Sequence, residues 1–256
     1  MSELSSSLPP LSFDLSNMAV FLDFDGTLVD IAERPDAVIV APATKRAMDQ
    51  LSTTLSGALA IVTGRNISDI DRFLEPLHLP VAGVHGLERR SHGGALSAYP
   101  VDAALLESVA ERLAPFLAAE KGLLLERKRS SIALHYRARP ELKDACVAAI
   151  DRATDDLGGI HILRGKMVIE AKAGSSNKGD AIDAFLGEPP FAGRVPLFAG
   201  DDVTDEDAFA VVNRRGGISI KVGPGETSAS YRAGSIDDFL GWLELIADDL
   251  ERANGA

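Results

Sequence analysis

The sequence contains a single cysteine, Cys146, in 256 residues. An internal disulfide and a thiolate metal cage are therefore both excluded. Cys146 lies in KDACVAAI, a helical pattern, where it reads as a small buried hydrophobe rather than a reactive thiol. Positive charge is scarce: 26 Lys and Arg stand against 38 Asp and Glu, a formal net charge of −12. That balance argues against non-specific binding to nucleic acid or to an anionic membrane, since both are polyanions. An anionic substrate would need its positive contacts gathered locally. No apolar run approaches the ~18 residues of a membrane span. The start, MSELSSSLPPLS, carries Glu3 and lacks the basic region and apolar core of a secretory signal. Residues 1–16 read as a disordered tail. No internal repeat is visible. What is present is a 46% hydrophobic composition, enough for a sizeable core, so a cytoplasmic globular protein is expected.

MAVFLDF is a continuous apolar run, as in a buried central strand. APATKRAMDQLSTTL suits a helix with Pro42 in its first turn. ALAIVTGR is a second strand, NISDIDRFLEPL a helix with Asn66 as its N-cap, and LPVAGVHG a third strand. This alternation predicts a parallel sheet with right-handed crossovers. From residue 102 the order becomes αββαββ: DAALLESVAERLAPFLAAE, GLLLERK, SSIALHYRA, PELKDACVAAIDRATDDLG, IHILRG and KMVIEAKAG. That order describes an α+β unit with an antiparallel sheet. The first style then returns, with helices in SSNKGDAIDAFLG and TDEDAFAVVNRRG, strands in RVPLFAGDD and GISIKVG, and a closing amphipathic helix, DDFLGWLELIADDLERA. The expected organisation is an α/β core over 17–101 and 175–256, with an α+β domain inserted at 102–174. Pro100 and Gly174 are the expected hinges.

The chemistry concentrates at VFLDFDGTL, residues 20–28. Residues two apart in a strand point to one side, so Asp23 and Asp25 are expected to share a side. Ligands of open α/β sheets bind outside the carboxyl ends of the strands. Other polar groups fall at that edge: Thr63-Gly64-Arg65, Lys178, and Gly200-Asp201-Asp202 with Asp205 beyond. Taken alone, a DxD at a strand end is a turn or helix-cap pair. The added elements favour a site. Two carboxylates about 4 Å apart repel by about 4 kcal/mol at an effective dielectric of ~20, and one lysine does not offset five. Either protons stay on, or a hard divalent cation sits there; all-oxygen donors favour Mg²⁺.

These residues resemble the haloacid dehalogenase phosphatase superfamily: Asp23-Phe24-Asp25-Gly26-Thr27 is similar to its DxDGT motif, Thr63 to its second motif, Lys178 to its third, and Asp201-Asp202 to its acidic pair. The resemblance implies a Rossmann-like parallel-sheet core with an inserted C2-type cap. It implies that Asp23 attacks phosphorus and that Asp25 serves as general acid, then general base. It also implies Mg²⁺ held by Asp23, the Asp25 main-chain carbonyl and Asp201. Thr63, Lys178 and the amides after Asp23 would hold the phosphoryl oxygens. Asp202 and Asp205 would orient the metal's waters or Lys178, in an order that the residues leave open. The two-carboxylate logic requires one ionised nucleophile and one group that keeps its proton through crowding.

Strand alternation predicts polar sides carrying Glu126, Lys128, Arg137, Lys166 and Glu170, opposite Ile132, Leu134, Tyr136, Met167 and Ile169. A solvated outer face is the bland reading of that surface. A lid face for a hydroxyl-rich ligand is the functional one. FLDFDGTL, IVTGR, the Val84-His85-Gly86 strand end, ERK…HYR, KMVIEAK…NKGDAI and FAGDDVTDEDAF together resemble the trehalose-6-phosphate phosphatase family over residues 18–240. That resemblance implies hydrolysis of a sugar phosphate, trehalose 6-phosphate, by a monomer. It implies substrate contacts at Gly64, Arg65, His85, Glu126, Lys128, Arg137, Lys166 and Glu170. Arg65 has an alternative structural reading, pairing with a carboxylate behind the site; Arg89 and Arg90 read as solvated. A family proline expected near Lys172 is absent. The rivals are a phosphatase of another sugar phosphate (sucrose 6-phosphate or a mannosyl compound), a receiver-like signalling domain and a silent sugar-binding relative. A receiver is about half this length and lacks an acid at Asp25.

Overall fold

A computed structural model describes residues 8–10, 16–31, 38–98, 102–128, 130–165, 167–174 and 176–254. The chain opens with β1 (Met18–Leu22), α1 (Pro42–Thr54), β2 (Leu59–Val62), α2 (Ile67–Leu74) and β3 (Val81–Gly83), followed by a hairpin of β4 (Glu88–Arg90) and β5 (Leu96–Ala98). Next come α3 (Ala103–Ala119), β6 (Leu124–Arg127), β7 (Ser131–His135), α4 (Lys143–Thr154), β8 (Ile160–Gly165) and β9 (Val168–Ala173). The chain closes with α5 (Lys178–Leu186), β10 (Val195–Gly200), α6 (Glu206–Arg214), β11 (Ile218–Val222), β12 (Tyr231–Ala233) and α7 (Ile236–Asn254). Two compact units result, one of residues 1–98 with 176–256 and one of residues 99–175.

In the larger unit, eight strands run in the order β12-β11-β10-β1-β2-β3-β4-β5. β1 lies centrally, parallel to both β10 and β2. All five of its residues are buried, which explains their uninterrupted apolar character. Phe21 packs on Phe185 and Phe191 with centroids 5.9 and 5.4 Å away. Parallel pairing sets the carboxyl ends of β1, β2, β10 and β11 along one edge, and the loops leaving those ends carry Asp23, Thr63 and Asp201.

In the smaller unit, the antiparallel order is β6-β7-β9-β8. Ile132, Leu134, Ile169 and Ala171 join Leu106, Val109 and Leu113 of α3 and Cys146 and Ile150 of α4 in one core. Cys146 is fully buried, as its helical setting predicts.

Several expectations change. Asn66 occupies the N-cap of α2, yet its side chain makes no capping bond; the Ile67 amide donates instead to Glu88 Oε1 at 2.7 Å. Arg89 and Arg90 are not solvated. Arg89 pairs with Glu188 at 2.5 Å, and Arg90 forks onto both oxygens of Asp71 at 2.7 and 2.6 Å. A hairpin that the chain pattern did not suggest turns both arginines onto the unit's flank. β12 was equally unforeseen. β7 ends at His135, so Arg137 lies in an exposed turn rather than on the strand. Met167 is no strand residue either, having a left-handed φ of 63°. The tail is partly docked: Leu8 packs on the larger core, and the Pro9 carbonyl accepts from Trp242 Nε1 at 2.9 Å, satisfying a buried indole. Residues 1–7 and 11–15, Pro100 and Lys166 lie outside the described residues. Gly174 donates its amide to the Gly159 carbonyl at 2.9 Å, closing the end of the β8–β9 pair. Among the described residues no helix is long and apolar enough to cross a membrane.

Candidate active site

The chain leaves β1 into a tight turn, with the Phe24 carbonyl accepting from Leu28 at 2.9 Å and the Gly26 amide donating to Val29 at 2.8 Å. Gly26 has φ +80°, and a Cβ there would overlap the Asp201 carboxylate. The glycine thus lets the β1 turn approach the β10 loop. Past the end of β1 the two-residue alternation no longer governs direction, and the expected Asp23/Asp25 pair is divided.

Asp23 is 4% exposed. Its Oδ1 accepts from Lys178 Nζ at 2.7 Å, and the same ammonium donates to Asp205 Oδ1 at 2.6 Å. Lys178 is the first residue of α5, fixed by a capping box in which Asn177 accepts from the Asp180 amide and Asp180 accepts from the Asn177 amide. Asp205 also accepts from the Asp202 amide through Oδ2 at 2.9 Å, while the Asp202 side chain accepts from the Val203 amide. Asp205 thus contacts Lys178, while Asp202 caps the short helical turn after β10. A Cβ at Gly200 would overlap the Asp205 carboxyl, so this approach also depends on a glycine.

Asp25 turns the other way. Its Oδ2 and Oδ1 accept from Arg65 Nε and a terminal guanidinium nitrogen, each at 2.6 Å. Arg65 therefore has a carboxylate partner within the core unit, the structural pairing that was its alternative reading. Thr63 is buried; its Oγ accepts from the Arg65 amide at 3.2 Å and its carbonyl accepts from the His85 amide at 2.9 Å. His85 has φ 53°, and a Cβ on Gly64 would come 2.6 Å from its Nε2. The bare Gly64 makes room for the imidazole at the end of β2.

Burial pushes the Asp23 carboxyl well above its ordinary range; Lys178 opposes this, while Asp205 and Asp201 add to it. Burial, then Asp205 and Asp202, push Asp201 up to about 6. For Lys178, burial works downward, yet Asp205 and Asp23 outweigh it and hold the ammonium above its usual value. The neutralisation problem thus centres on Asp23, Asp201 and Asp205. One oxygen from each lies within 4.8 Å of the others, an all-oxygen set suited to a hard cation. Asp205 is already committed through both oxygens, so Asp23 and Asp201 are the stronger donors. These residues fit Mg²⁺.

Lys221 was missed by sequence reasoning. It is 5% exposed on β11, and its ammonium donates to the Asp201 main-chain carbonyl. The available signal was a lysine near the carboxyl end of an otherwise apolar strand, GISIKVG.

In the smaller unit, Glu126 faces Ala133, which faces Glu170 in the sheet register. Lys128 Nζ reaches Glu170 at 3.3 Å, and Ser131 Oγ donates to Glu170. Glu126 meets His135 Nε2 at 2.9 Å. One sheet face therefore gathers Glu126, Lys128 and Glu170, while exposed Arg137 lies in the turn beyond it.

Comparison with known proteins places this geometry. Residues 21–237 match the trehalose-phosphatase family model. The chain is 40% identical to trehalose-6-phosphate phosphatase of Escherichia coli (strain K12) over 252 residues, 98% of this chain and 94% of that one. It is 46% identical to a probable trehalose-phosphate phosphatase of Sinorhizobium fredii (strain NBRC 101917 / NGR234) over 244 residues, covering 94% and 90%. The C-terminal domain of C. albicans trehalose-6-phosphate phosphatase superposes with TM-score 0.79 at 22% identity, covering 91% and 92%. The fold is that of haloacid dehalogenase-like hydrolases. The chain belongs to the trehalose-phosphatase family of phosphatase enzymes.

Proposed function

We propose that this protein hydrolyses trehalose 6-phosphate to trehalose and phosphate, with Mg²⁺ as cofactor and Asp23 as the nucleophile. One observation carries the reading: in a chain of this family, a buried ammonium holds Asp23 at 2.7 Å, presenting a carboxylate with a fixed orientation at the sheet edge.

In the first step an Asp23 oxygen bonds to phosphorus as the bond from phosphorus to the sugar oxygen breaks, and Asp25 gives that oxygen its proton. In the second, Asp25 takes a proton from water, whose oxygen bonds to phosphorus as the Asp23–phosphorus bond breaks. Phosphate leaves and the carboxylate is restored. Lys178 and the Thr63 hydroxyl stabilise charge on the phosphoryl oxygens. Asp23, Asp201 and the Asp25 carbonyl would hold Mg²⁺, which when bound neutralises charge where an anionic nucleophile meets an anionic substrate. Asp205 keeps Lys178 in place. In the smaller unit, Glu126, Lys128 and Glu170, with Arg137 and Lys166, select the sugar through acceptors and donors for its hydroxyls.

The test is phosphate release with Mg²⁺ from trehalose 6-phosphate, sucrose 6-phosphate and glucose 6-phosphate. Preference for the first, lost in Asp23→Asn, supports the reading; preference for another sugar phosphate overturns the substrate assignment.

A further inference from the structure

We infer that Arg65 is a positioning residue that keeps the Asp25 carboxylate out of the metal-binding cluster. It leaves Asp23 and Asp201, with Asp205 beside them, as the clustered carboxylates and holds the acid–base group apart. The inference rests on the reading of the site given above and adds a role for a side chain that the reaction steps leave unused.

The ion pair is built for this separation. Both Asp25 oxygens are taken by one planar guanidinium at 2.6 Å, a fork geometry that fixes direction as well as distance. The arginine is itself constrained. Its side chain is 14% exposed and lies 5.0 Å from the Phe73 ring centroid and 5.7 Å from that of Phe24. Its amide donates to Thr63 Oγ at 3.2 Å, and its carbonyl accepts from the Val84 amide at 2.9 Å. A Cβ at Gly83 would come 2.8 Å from that carbonyl, so the backbone can take this path only beside a glycine.

The separation has a chemical purpose. Asp25 follows Asp23 by two residues, yet the acidic groups that can share a cation are Asp23, Asp201 and Asp205. A further carboxylate among these ligands would take a coordination position needed by a phosphoryl oxygen. A lysine at position 65 could hold one oxygen but not both.

The test measures Mn²⁺ binding to the full chain by electron paramagnetic resonance and Mg²⁺ binding by calorimetry, without substrate. Arg65→Met should bind the cation about tenfold more tightly, because affinity at oxygen sites rises with the number of charged ligands. Its turnover of trehalose 6-phosphate should fall. The double variant Arg65→Met/Asp25→Asn should return to wild-type affinity, a reversal that general loosening of the site would not produce. Unchanged or weaker affinity in folded Arg65→Met, or no reversal in the double variant, overturns the inference. If Arg65→Met does not fold, Arg65→Lys serves, with a smaller gain expected in the same direction and no gain counting against the inference. Metal binding by the wild type without hydrolysis of any sugar phosphate would instead fault the proposed function. Its failure is thereby separated from that of the Arg65 role.

Discussion

Lys178 Nζ stands 2.6 Å from Asp205 Oδ1, and the two side chains are 3% and 0% exposed. An ion pair this deep carries a large desolvation cost, which is offset only while both charges and their further hydrogen bonds remain. Lys178 meets that condition by also holding Asp23.

Lys178→Met would leave Asp23 and Asp205 buried without their shared cation. The expected loss of stability is about 3–5 kcal/mol without metal, read by urea unfolding, and Mg²⁺ should recover part of it. Turnover of trehalose 6-phosphate should fall by about 10²–10³, the range for losing one charge-stabilising donor. An unfolding midpoint equal to wild type would show that the lysine is not required to neutralise the cluster.

The pH dependence follows from the raised carboxyls. Asp201 titrates near 6 against an ordinary 3.8, and Asp23 is raised as well. Folding therefore favours their protonated forms. The Asp201 contribution is full below the ordinary value and is lost as pH rises through about 6 in the metal-free protein, and the Asp23 contribution is lost in the same direction. Mg²⁺ competes with those protons, so its effect on Tm should be small at about pH 5 and larger at about pH 7.5. Scans with and without Mg²⁺ read this directly, and a larger metal effect at the lower pH would contradict it.

Glu170 anchors Lys128 at 3.3 Å on the smaller unit's sheet face. Glu170→Ala should reduce kcat/KM for trehalose 6-phosphate by about tenfold or more, the scale of losing one hydrogen bond to a charged group. Hydrolysis of 4-nitrophenyl phosphate, which lacks those hydroxyls, should be largely spared. Equal loss on both substrates would remove Glu170 from sugar selection.

The sequence made the alternating core legible because β1, β2 and β10 are buried on both faces and read as apolar runs. Polar residues just past those runs had few structural reasons to be there, and so Asp23, Thr63 and Asp201 stood out, together with Lys178 at the start of α5. The three-residue strands β4, β5 and β12 are too short to show a period. Alternation also failed where it was extended past a strand end, at Arg137, Met167 and Asp25. Lys221 and the Arg65–Asp25 fork depend on which loops meet across the sheet edge. One-dimensional spacing does not encode that, although Arg65 could be read in advance as the partner of some carboxylate.

The central claim is that Asp23 carries the phosphoryl group during turnover. Its most direct test is to quench the enzyme during hydrolysis of trehalose 6-phosphate, reduce with borohydride and map the modified residue by mass spectrometry. An acyl phosphate is reduced to the alcohol, so the account predicts homoserine at position 23 and none in Asp23→Asn. Phosphate attached at another residue, or rapid turnover with no reducible acyl group on the protein, would contradict it.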